Sequence, residues 1–232
     1  MGEPIQIKRH GSIAEIMLNR PQAYNALNDG LVAGLAENLT MLATDNETKG
    51  IVLVGQGKAF CSGGDLKWAS SCSEGPSRSF HALAGRFHLA VMEIRRMAKP
   101  VIAAINGVAA EAGFSLALAC DFRIMEASAI LKQAYTSNGL SIDGGGTFTL
   151  PRMVGLARAL EIVAFDRSIS AQQALSWGLV TKVVDDGKAQ AEAIEMLNDL
   201  ATRSLSSFGA SKKLLNDSFN QSFETQLELE RE

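Results

Sequence analysis

The loop around Asp143 combines one carboxylic acid with three consecutive glycines, at positions 144–146, ahead of an apolar run. Glycine adopts positive φ easily and lets a ligand or another backbone approach closely, so an acid here can line a cleft and exchange protons. The same acid can instead serve as the N-cap of a helix that begins near Gly145. This segment alone favours the cap, and the rest of the chain must decide between the two roles.

Two glycine-rich turns can present backbone N–H groups to a developing negative charge. The first, residues 56–66, follows a buried strand and contains the run Cys-Ser-Gly-Gly-Asp. The second, residues 106–115, also leaves a buried strand, and its small residues begin a helix whose first N–H groups lack intrahelical acceptors. Two such donors that converge form an oxyanion hole. Neither turn has the sequence of a P-loop or of a dinucleotide-binding fingerprint.

The length and composition are those of one globular domain, with or without an appendage. The chain has 232 residues, of which 47% are hydrophobic and 20% charged, so it can bury a substantial core. A net charge of −3 provides no field for binding phosphate backbones, and the short basic groups, such as Lys8-Arg9-His10, lack interleaved aromatic residues. We therefore expect no nucleic-acid partner.

The three cysteines, Cys61, Cys72 and Cys120, do not have the spacing of a disulfide framework or of a metal site. This pattern is typical of a reducing compartment, so we expect a cytoplasmic protein that binds no metal. The first residues do not resemble a signal peptide, and the longest apolar stretches, residues 101–105 and 114–119, are too short to span a bilayer. We expect a soluble protein with no membrane partner.

The apolar periodicity predicts an α/β front followed by a helical tail. Predicted strands cover residues 5–7, 13–18, 50–54, 101–105 and 122–125. Predicted helices cover residues 28–44, with Asn28 as the N-cap, and residues 79–97, 113–119, 156–165, 171–177, 188–203 and 206–217. In the tail only residues 180–184 are strand-like, and residues 70–79, rich in Ser, Gly and Pro, are predicted to form a mobile loop.

Four segments, taken in order, resemble the enoyl-CoA hydratase/isomerase, or crotonase, family. They are Leu18-Asn19-Arg20-Pro21 with Asn25-Ala26-Leu27, then residues 59–66, residues 99–107 and Leu150-Pro151-Arg152. The resemblance implies an α/β fold in which residues 1–195 form a crotonase-like spiral of β-β-α units with two near-perpendicular sheets. Residues 196–232 would form an incomplete helical C-terminal trimerisation region. It also implies acyl-CoA thioesters as ligands, a homotrimer or a hexamer built as a dimer of trimers, and no cofactor beyond the coenzyme A that the substrate carries.

The resemblance also assigns roles to individual positions. The backbone N–H groups of Ser62 and Ala112 would hold the thioester oxygen, and Asp143 matches a position where some members carry a catalytic acid. Further substrate contacts, several of them along the coenzyme A nucleotide, would come from Ala23, Tyr24, Gly63, Gly64, Asp65, Leu66, Tyr135 and Gly139.

The family's hydratases use two glutamates, and the matching positions of this chain hold Ser115 and Tyr135. Water addition needs one group to activate water and another to deliver a proton, so this loss argues against an efficient hydratase. Glu111 is a fallback carboxylate, but we expect it to face away from the site. One acid suffices for isomerisation, in which Asp143 removes a proton allylic to the thioester carbonyl and returns it at another carbon. Within the family the chain looks most like ring-1,2-epoxyphenylacetyl-CoA and Δ3,Δ2-enoyl-CoA isomerases, which implies a place in fatty-acid or aromatic degradation.

Three alternatives remain open. Hydratase activity is one. The second is substitution on an aryl-CoA, as in the family's 4-chlorobenzoyl-CoA dehalogenases, with Asp143 as the nucleophile and His88 as a possible catalytic helper. A single histidine on a helix is more often packed or solvent-facing, and the neighbours of His88, Phe87 and Leu89, suit burial. The third is a non-enzymatic scaffold that binds acyl-CoA or RNA.

Overall fold

The computed structural model describes residues 2–231 and contains two β-sheets surrounded by helices. In chain order the strands are β1 (Ile5–His10), β2 (Ile13–Leu18), β3 (Gly50–Gly55), β4 (Ala59–Cys61), β5 (Val101–Ile105), β6 (Val108–Ala110), β7 (Phe122–Glu126), β8 (Ile130–Lys132), β9 (Ile169–Ser170) and β10 (Lys182–Val184). The α-helices are α1 (Asp29–Thr44), α2 (Leu66–Ser71), α3 (Gly75–Arg96), α4 (Ala112–Ala119), α5 (Gly146–Phe165), α6 (Ala171–Ser176), α7 (Ala189–Leu200), α8 (Leu205–Asp217) and α9 (Phe223–Leu229).

The chain alternates between the two sheets. The larger sheet has the order β1-β2-β3-β5-β7-β10 and is parallel except for the β1–β2 hairpin, while the smaller has the order β4-β6-β8-β9. Each of β3, β5 and β7 is followed directly by a strand of the smaller sheet and then by helix. This repeat confirms the prediction of an α/β spiral of β-β-α units.

Both faces of the larger sheet are covered. Successive residues of a strand point to opposite faces, and β3 is buried along its whole length. Val52 and Ile102 pack against α7 on one face, while Ile51, Leu53 and Ala103 belong to the main core shared with α1 and α3. The sheet is therefore a rigid support for the turns that leave the ends of its strands.

The helix start at Asn28 was predicted correctly, because its side-chain Oδ1 accepts a hydrogen bond from Leu31 N at 3.0 Å. The loop predicted at residues 70–79 is wrong: α2 extends to Ser71, and Gly75 already begins α3. Pro76 lies in the first turn of α3, where its missing N–H costs nothing, so a residue typical of loops starts a helix here.

Helix α5 begins at Gly146, close to the start expected near Gly145, and includes the predicted 156–165; it contains Pro151 and a kink at Gly155 with φ of +76°. These two residues interrupt the apolar periodicity, so the periodicity alone indicates only the second half of the helix. The short strands β4, β6, β8 and β9 were not predicted either, since two or three residues are too few to show an alternating pattern. Within residues 2–231, none of the helices combines the length and apolar character needed to cross a membrane.

Candidate active site

A cavity of about 250 Å³ lies where the turn after β4, the start of α4, helix α3 and the loop before α5 meet. It is lined by Leu27, Gly64, Phe80, His81, Leu83, Ala84, Phe87, Glu111, Ala112, Tyr135, Leu140, Ser141 and Asp143. Most of this wall is apolar, but it contains two carboxylates and the two glycine-rich turns. The structure thus brings together Asp143, Ala112, Gly64 and Tyr135 from the predicted set.

The turn after β4 is fixed by backbone and ionic contacts. Leu27 N donates to Gly63 O at 2.7 Å, and Asp65 N donates to Leu27 O at 2.9 Å. Asp65 caps α2 by accepting from Trp68 N at 2.9 Å and pairs with Arg20 Nη2 at 2.8 Å. Burial alone would raise the pKa of Asp65, but the Trp68 N–H and the Arg20 guanidinium outweigh burial and hold that pKa below its ordinary value. Asp65 therefore braces the turn, and it is not among the cavity-lining residues.

The oxyanion donor predicted at Ser62 has to be reassigned. Ser62 N already donates to Tyr24 O at 3.1 Å, and Ser62 is not among the residues that line the cavity. Gly64, two residues later, lines the cavity and directs its N–H to the Glu111 carboxylate at 2.5 Å. The backbone donor that this turn offers to the cavity is therefore that of Gly64.

The second turn places Ala112 at the start of α4, where helix geometry leaves the first N–H groups without intrahelical acceptors. Glu111, directly before it, adopts φ of +52° and ψ of −124°, and its N donates to Lys132 O at 3.1 Å. This region of backbone space disfavours residues with a side chain. The expectation that Glu111 faces away is wrong, because this backbone directs its side chain into the cavity.

Glu111 is 7% exposed, and its carboxylate meets a mostly apolar wall. Burial raises the pKa of Glu111 above its ordinary value; the Gly64 N–H opposes the rise, and the negative charge of Asp143 adds to it. The cavity therefore contains two carboxylates that repel each other and that differ in their hydrogen-bond partners.

Asp143 accepts a hydrogen bond from the phenol of Tyr135, which is 4% exposed. Burial raises the pKa of Tyr135, and the adjacent Asp143 carboxylate raises it further, so the phenol stays neutral and keeps its proton to donate. The alternative role of Asp143 as a helix cap is wrong. Gly145 occupies the N-cap position of α5 without a side-chain cap, and only the backbone O of Asp143 accepts from Gly146 N, at 3.0 Å.

The glycines after Asp143 allow the loop to pack closely against two helices. Gly144 has φ of +58°, and a Cβ there would lie 2.4 Å from Phe87 Cε1 on α3. A Cβ at Gly146 would lie 2.7 Å from Ser115 Oγ on α4. The glycines thus bring the loop into contact with both helices, which fixes Asp143 at the cavity wall.

His88 is exposed on α3 and is not among the cavity-lining residues, so its expected burial is wrong. Its Nε2 lies 3.4 Å from Gly144 N, a long contact that links the ring to the loop rather than to the cavity. Tyr24, Leu66 and Gly139 are also exposed and outside the lining. Ala23 is half-buried, and Gly63 is buried under the carboxylate of Glu111.

Sequence reasoning missed the wall that α3 provides. Phe80, Leu83, Ala84 and Phe87 have the i, i+3, i+4, i+7 spacing of one helix face, and all four line the cavity. The spacing was visible in the sequence, but periodicity does not say whether a face meets the core or a ligand.

A second cavity of about 320 Å³ lies between α3, α4, α5 and α8. Its polar groups already have partners, since Lys212 Nζ lies 2.7 Å from Asp121 Oδ2 and Arg152 stacks on Phe148 at 3.5 Å. It contains none of the predicted site residues, and the chemistry is therefore assigned to the first cavity.

The family model for enoyl-CoA hydratase/isomerase matches residues 8–232. A 1,2-epoxyphenylacetyl-CoA isomerase of Escherichia coli strain K12 is 37% identical over 221 residues, which cover 95% of this chain and 84% of the relative. A 4-chlorobenzoyl coenzyme A dehalogenase of an Arthrobacter species is 30% identical over 222 residues, 95% of this chain and 80% of the relative. The crystal structure of an enoyl-CoA hydratase from Polaromonas sp. JS666 superposes with a TM-score of 0.93 at 35% identity, over 98% of this chain and 88% of that one. The names of these relatives give different reactions. The chain belongs to the enoyl-CoA hydratase/isomerase family.

Proposed function

We propose that the protein is an acyl-CoA isomerase that shifts a double bond, from Δ3 to Δ2 of an enoyl-CoA or in a related ring or epoxide isomerisation. The observation that carries the proposal is the position of Asp143. Its carboxylate lines the same cavity as Gly64 and Ala112, and the Tyr135 phenol holds it from one side. The cavity thus offers a base and two backbone donors to one small apolar volume.

The first step uses the two turns. The thioester oxygen accepts hydrogen bonds from the N–H groups of Gly64 and Ala112, and Asp143 removes a proton from C2 of the 3-enoyl thioester. The electron pair of the broken C–H bond delocalises onto the thioester oxygen to give a dienolate. A single preorganised donor of this kind typically contributes about 2.7–4 kcal/mol to transition-state stabilisation.

The second step returns the proton. The electron pair moves back from the oxygen, the double bond forms between C2 and C3, and C4 takes the proton from Asp143. Tyr135 holds Oδ1 throughout, which leaves Oδ2 free to move the proton. The sequence of steps consumes no water and uses no cofactor apart from the coenzyme A of the substrate.

The residues outside the cavity are proposed to contact the coenzyme A part of the substrate. Leu66 lies two residues after Gly64 in the chain. Tyr24 lies near the same turn, because its backbone O accepts a hydrogen bond from the N–H of Ser62, which is two residues before Gly64. Tyr24 and Leu66 are 58% and 52% exposed, as expected of groups that meet a ligand outside the cavity. We propose the same role for Ala23, because it is adjacent to Tyr24 in the chain.

We also propose a homotrimer or a hexamer. Large apolar side chains remain exposed on α5 and in the C-terminal region, where Leu156 is 67%, Phe165 63% and Phe223 73% exposed. A contiguous patch of such side chains would mark a contact with another subunit. The proposal is checked by measuring the mass of the protein in solution.

A second candidate function, hydration of a 2-enoyl-CoA, is favoured by one observation, the presence of Glu111 beside Asp143 in the cavity. Two acids can activate water and deliver a proton. A product assay separates the two functions. We expect trans-3-hexenoyl-CoA to give a conjugated 2-enoyl thioester of unchanged mass, and trans-2-hexenoyl-CoA to gain the mass of water much more slowly. Hydration faster than isomerisation would overturn the proposed function in favour of the second.

A further inference from the structure

The Glu111 carboxylate accepts a hydrogen bond from Gly64 N–H, the donor that the proposed function assigns to the thioester oxygen. Its Oε2 accepts a hydrogen bond from Gly64 N at 2.5 Å, and the negative charge of the acceptor strengthens such a bond. In the proposed function the thioester oxygen accepts from the same N–H. A carboxylate oxygen and a thioester oxygen cannot both take this donor in good geometry, so the two compete for it.

The carboxylate also fills the space in front of the turn. A Cβ at Gly63 would lie 2.2 Å from Glu111 Oε2, and one at Gly64 would lie 3.5 Å from the same atom. The carboxylate is therefore seated on the backbone of the turn, where a thioester carbonyl has to approach.

The backbone of Glu111 is strained to achieve this contact. Its φ of +52° with ψ of −124° is a conformation that favours glycine. Non-glycine residues persist in such conformations only where the surroundings enforce them, and these outliers cluster at functional sites. The strained residue, Glu111, is thus hydrogen-bonded to Gly64 N–H, the group that is proposed to bind the substrate.

The surroundings of Glu111 oppose a permanent anion. The negative charge of Asp143 adds to the rise in the pKa of Glu111, and the charge of Glu111 in turn raises the pKa values of the Tyr135 phenol and of the buried Cys61 thiol on β4. His81 on α3 lines the same cavity, and the residues that line it include no lysine or arginine. The Gly64 N–H is therefore the contact that holds the carboxylate in place.

We propose that Glu111 is a resident ligand of the oxyanion donor, and that an acyl-CoA thioester binds productively only when its carbonyl oxygen displaces the Glu111 carboxylate from Gly64 N–H. This inference rests on the proposed function, since it needs a thioester in the cavity. It makes Glu111 a positioning residue that sets substrate affinity and favours ligands whose carbonyl oxygen can compete for the donor.

Displacement should depend on pH. Burial raises the pKa of Glu111, and the neutral acid is a weaker acceptor than the anion. Below this pKa the carboxyl group leaves the donor more easily, so thioester affinity falls as pH rises through it. Binding at a pH near that value takes up a proton.

The test compares wild type with Glu111→Gly by calorimetric titration over a range of pH. Glycine suits the positive φ, so this variant is expected to fold, which circular dichroism checks. The probes are hexanoyl-CoA and S-hexyl-CoA, a thioether that lacks the carbonyl oxygen. We expect Glu111→Gly to bind the thioester at least about 10-fold more tightly, with the pH dependence lost, and to bind the thioether as wild type does. Glu111→Gln, which keeps the length but not the charge, should fall between the two.

The contrary outcomes are distinct. Thioester affinity that is unchanged or weaker in Glu111→Gly overturns the inference, as does an equal gain for thioester and thioether, because that gain would come from space alone. A large loss of kcat at constant affinity would assign proton transfer to Glu111 and also overturn it. If no coenzyme A compound binds either protein, both this inference and the proposed function fail; equal binding to the two proteins removes only this inference.

Discussion

The two sides of the cavity hold the same functional group in opposite ways. Asp143 sits on a loop pressed against two helices and accepts from a side-chain phenol, while Glu111 sits on a strained backbone and accepts from a backbone N–H. In the proposed function the phenol stays in place while Asp143 exchanges a proton, whereas the backbone N–H has to bind the substrate. A carboxylate's role here is thus decided by its hydrogen-bond donor rather than by its residue type.

The largest effect expected is on turnover at the Asp143 side. Asp143→Asn removes the group that accepts the proton, so kcat for 3-to-2 isomerisation should fall by at least about 10²-fold. Ser115→Ala, a change at a family glutamate position, should reduce kcat far less, because Ser115 contacts the Tyr135 phenol rather than the carboxylate that accepts the proton. A steady-state assay of the conjugated product measures kcat for both variants. An Asp143→Asn enzyme as active as wild type would show that Asp143 does not accept the proton.

The next largest effect is expected in the turn after β4, which the ion pair of Arg20 and Asp65 supports. Arg20→Met keeps the apolar stem but removes the partner of Asp65, which leaves a largely buried carboxylate with fewer partners. We expect a loss of about 1–3 kcal/mol in the free energy of unfolding and a raised KM, measured by urea denaturation and by kinetics. Because the pKa of Asp65 is lowered in the folded protein, its contribution to wild-type stability is present above the ordinary pKa of aspartate and is lost as pH falls. The Arg20→Met defect should therefore shrink in acid; a defect independent of pH would contradict this reading of the turn.

A smaller effect is expected at Tyr135. Tyr135→Phe keeps the ring and removes the hydroxyl that holds Asp143, so the carboxylate stays in place but loses its orientation. We expect kcat to fall by about 10-fold with little change in KM, the cost of one lost hydrogen bond to a charged group. A fall as large as that of Asp143→Asn would instead mean that the phenol takes part in the proton transfer.

The smallest effect is expected on the stability of the protein, through the titration of Glu111. The pKa of Glu111 is raised in the folded protein, so its folded state binds more protons than the unfolded chain, and its contribution to stability falls as pH rises. Glu111→Gln removes this titration. The melting temperature of the variant relative to wild type should therefore increase as pH rises above the ordinary glutamate pKa of 4.5. The opposite slope would mean that the carboxylate is stabilised as an anion.

Much of the fold and half of the site could be predicted from the sequence. Buried strands such as β3 and amphipathic helices such as α1 carry their own periodicity, and Asp143 stands out beside its glycines. The identity of the oxyanion donor could not be predicted by position, because it depends on a long-range contact. The Tyr24 backbone O takes the N–H of Ser62 and leaves that of Gly64 for the cavity.

The direction of the Glu111 side chain could not be predicted from the sequence for a different reason. Glu111 precedes the donor Ala112 in the turn and was therefore expected to face away, but it has a positive φ and its side chain lines the cavity. Nothing local in the sequence announces that conformation, since glutamate rarely adopts it. The missed carboxylate matters because it changes the predicted site from one acid to two.

We propose that a single carboxylate, Asp143, carries the proton from C2 to C4 of the substrate. The most direct measurement is isomerisation of trans-3-hexenoyl-CoA deuterated at C2 in ordinary water, with the product examined by NMR after a single turnover. If Asp143 carries the proton, part of the deuterium lost from C2 should appear at C4 of the 2-enoyl product. A product that contains no deuterium at C4 would contradict this role of Asp143.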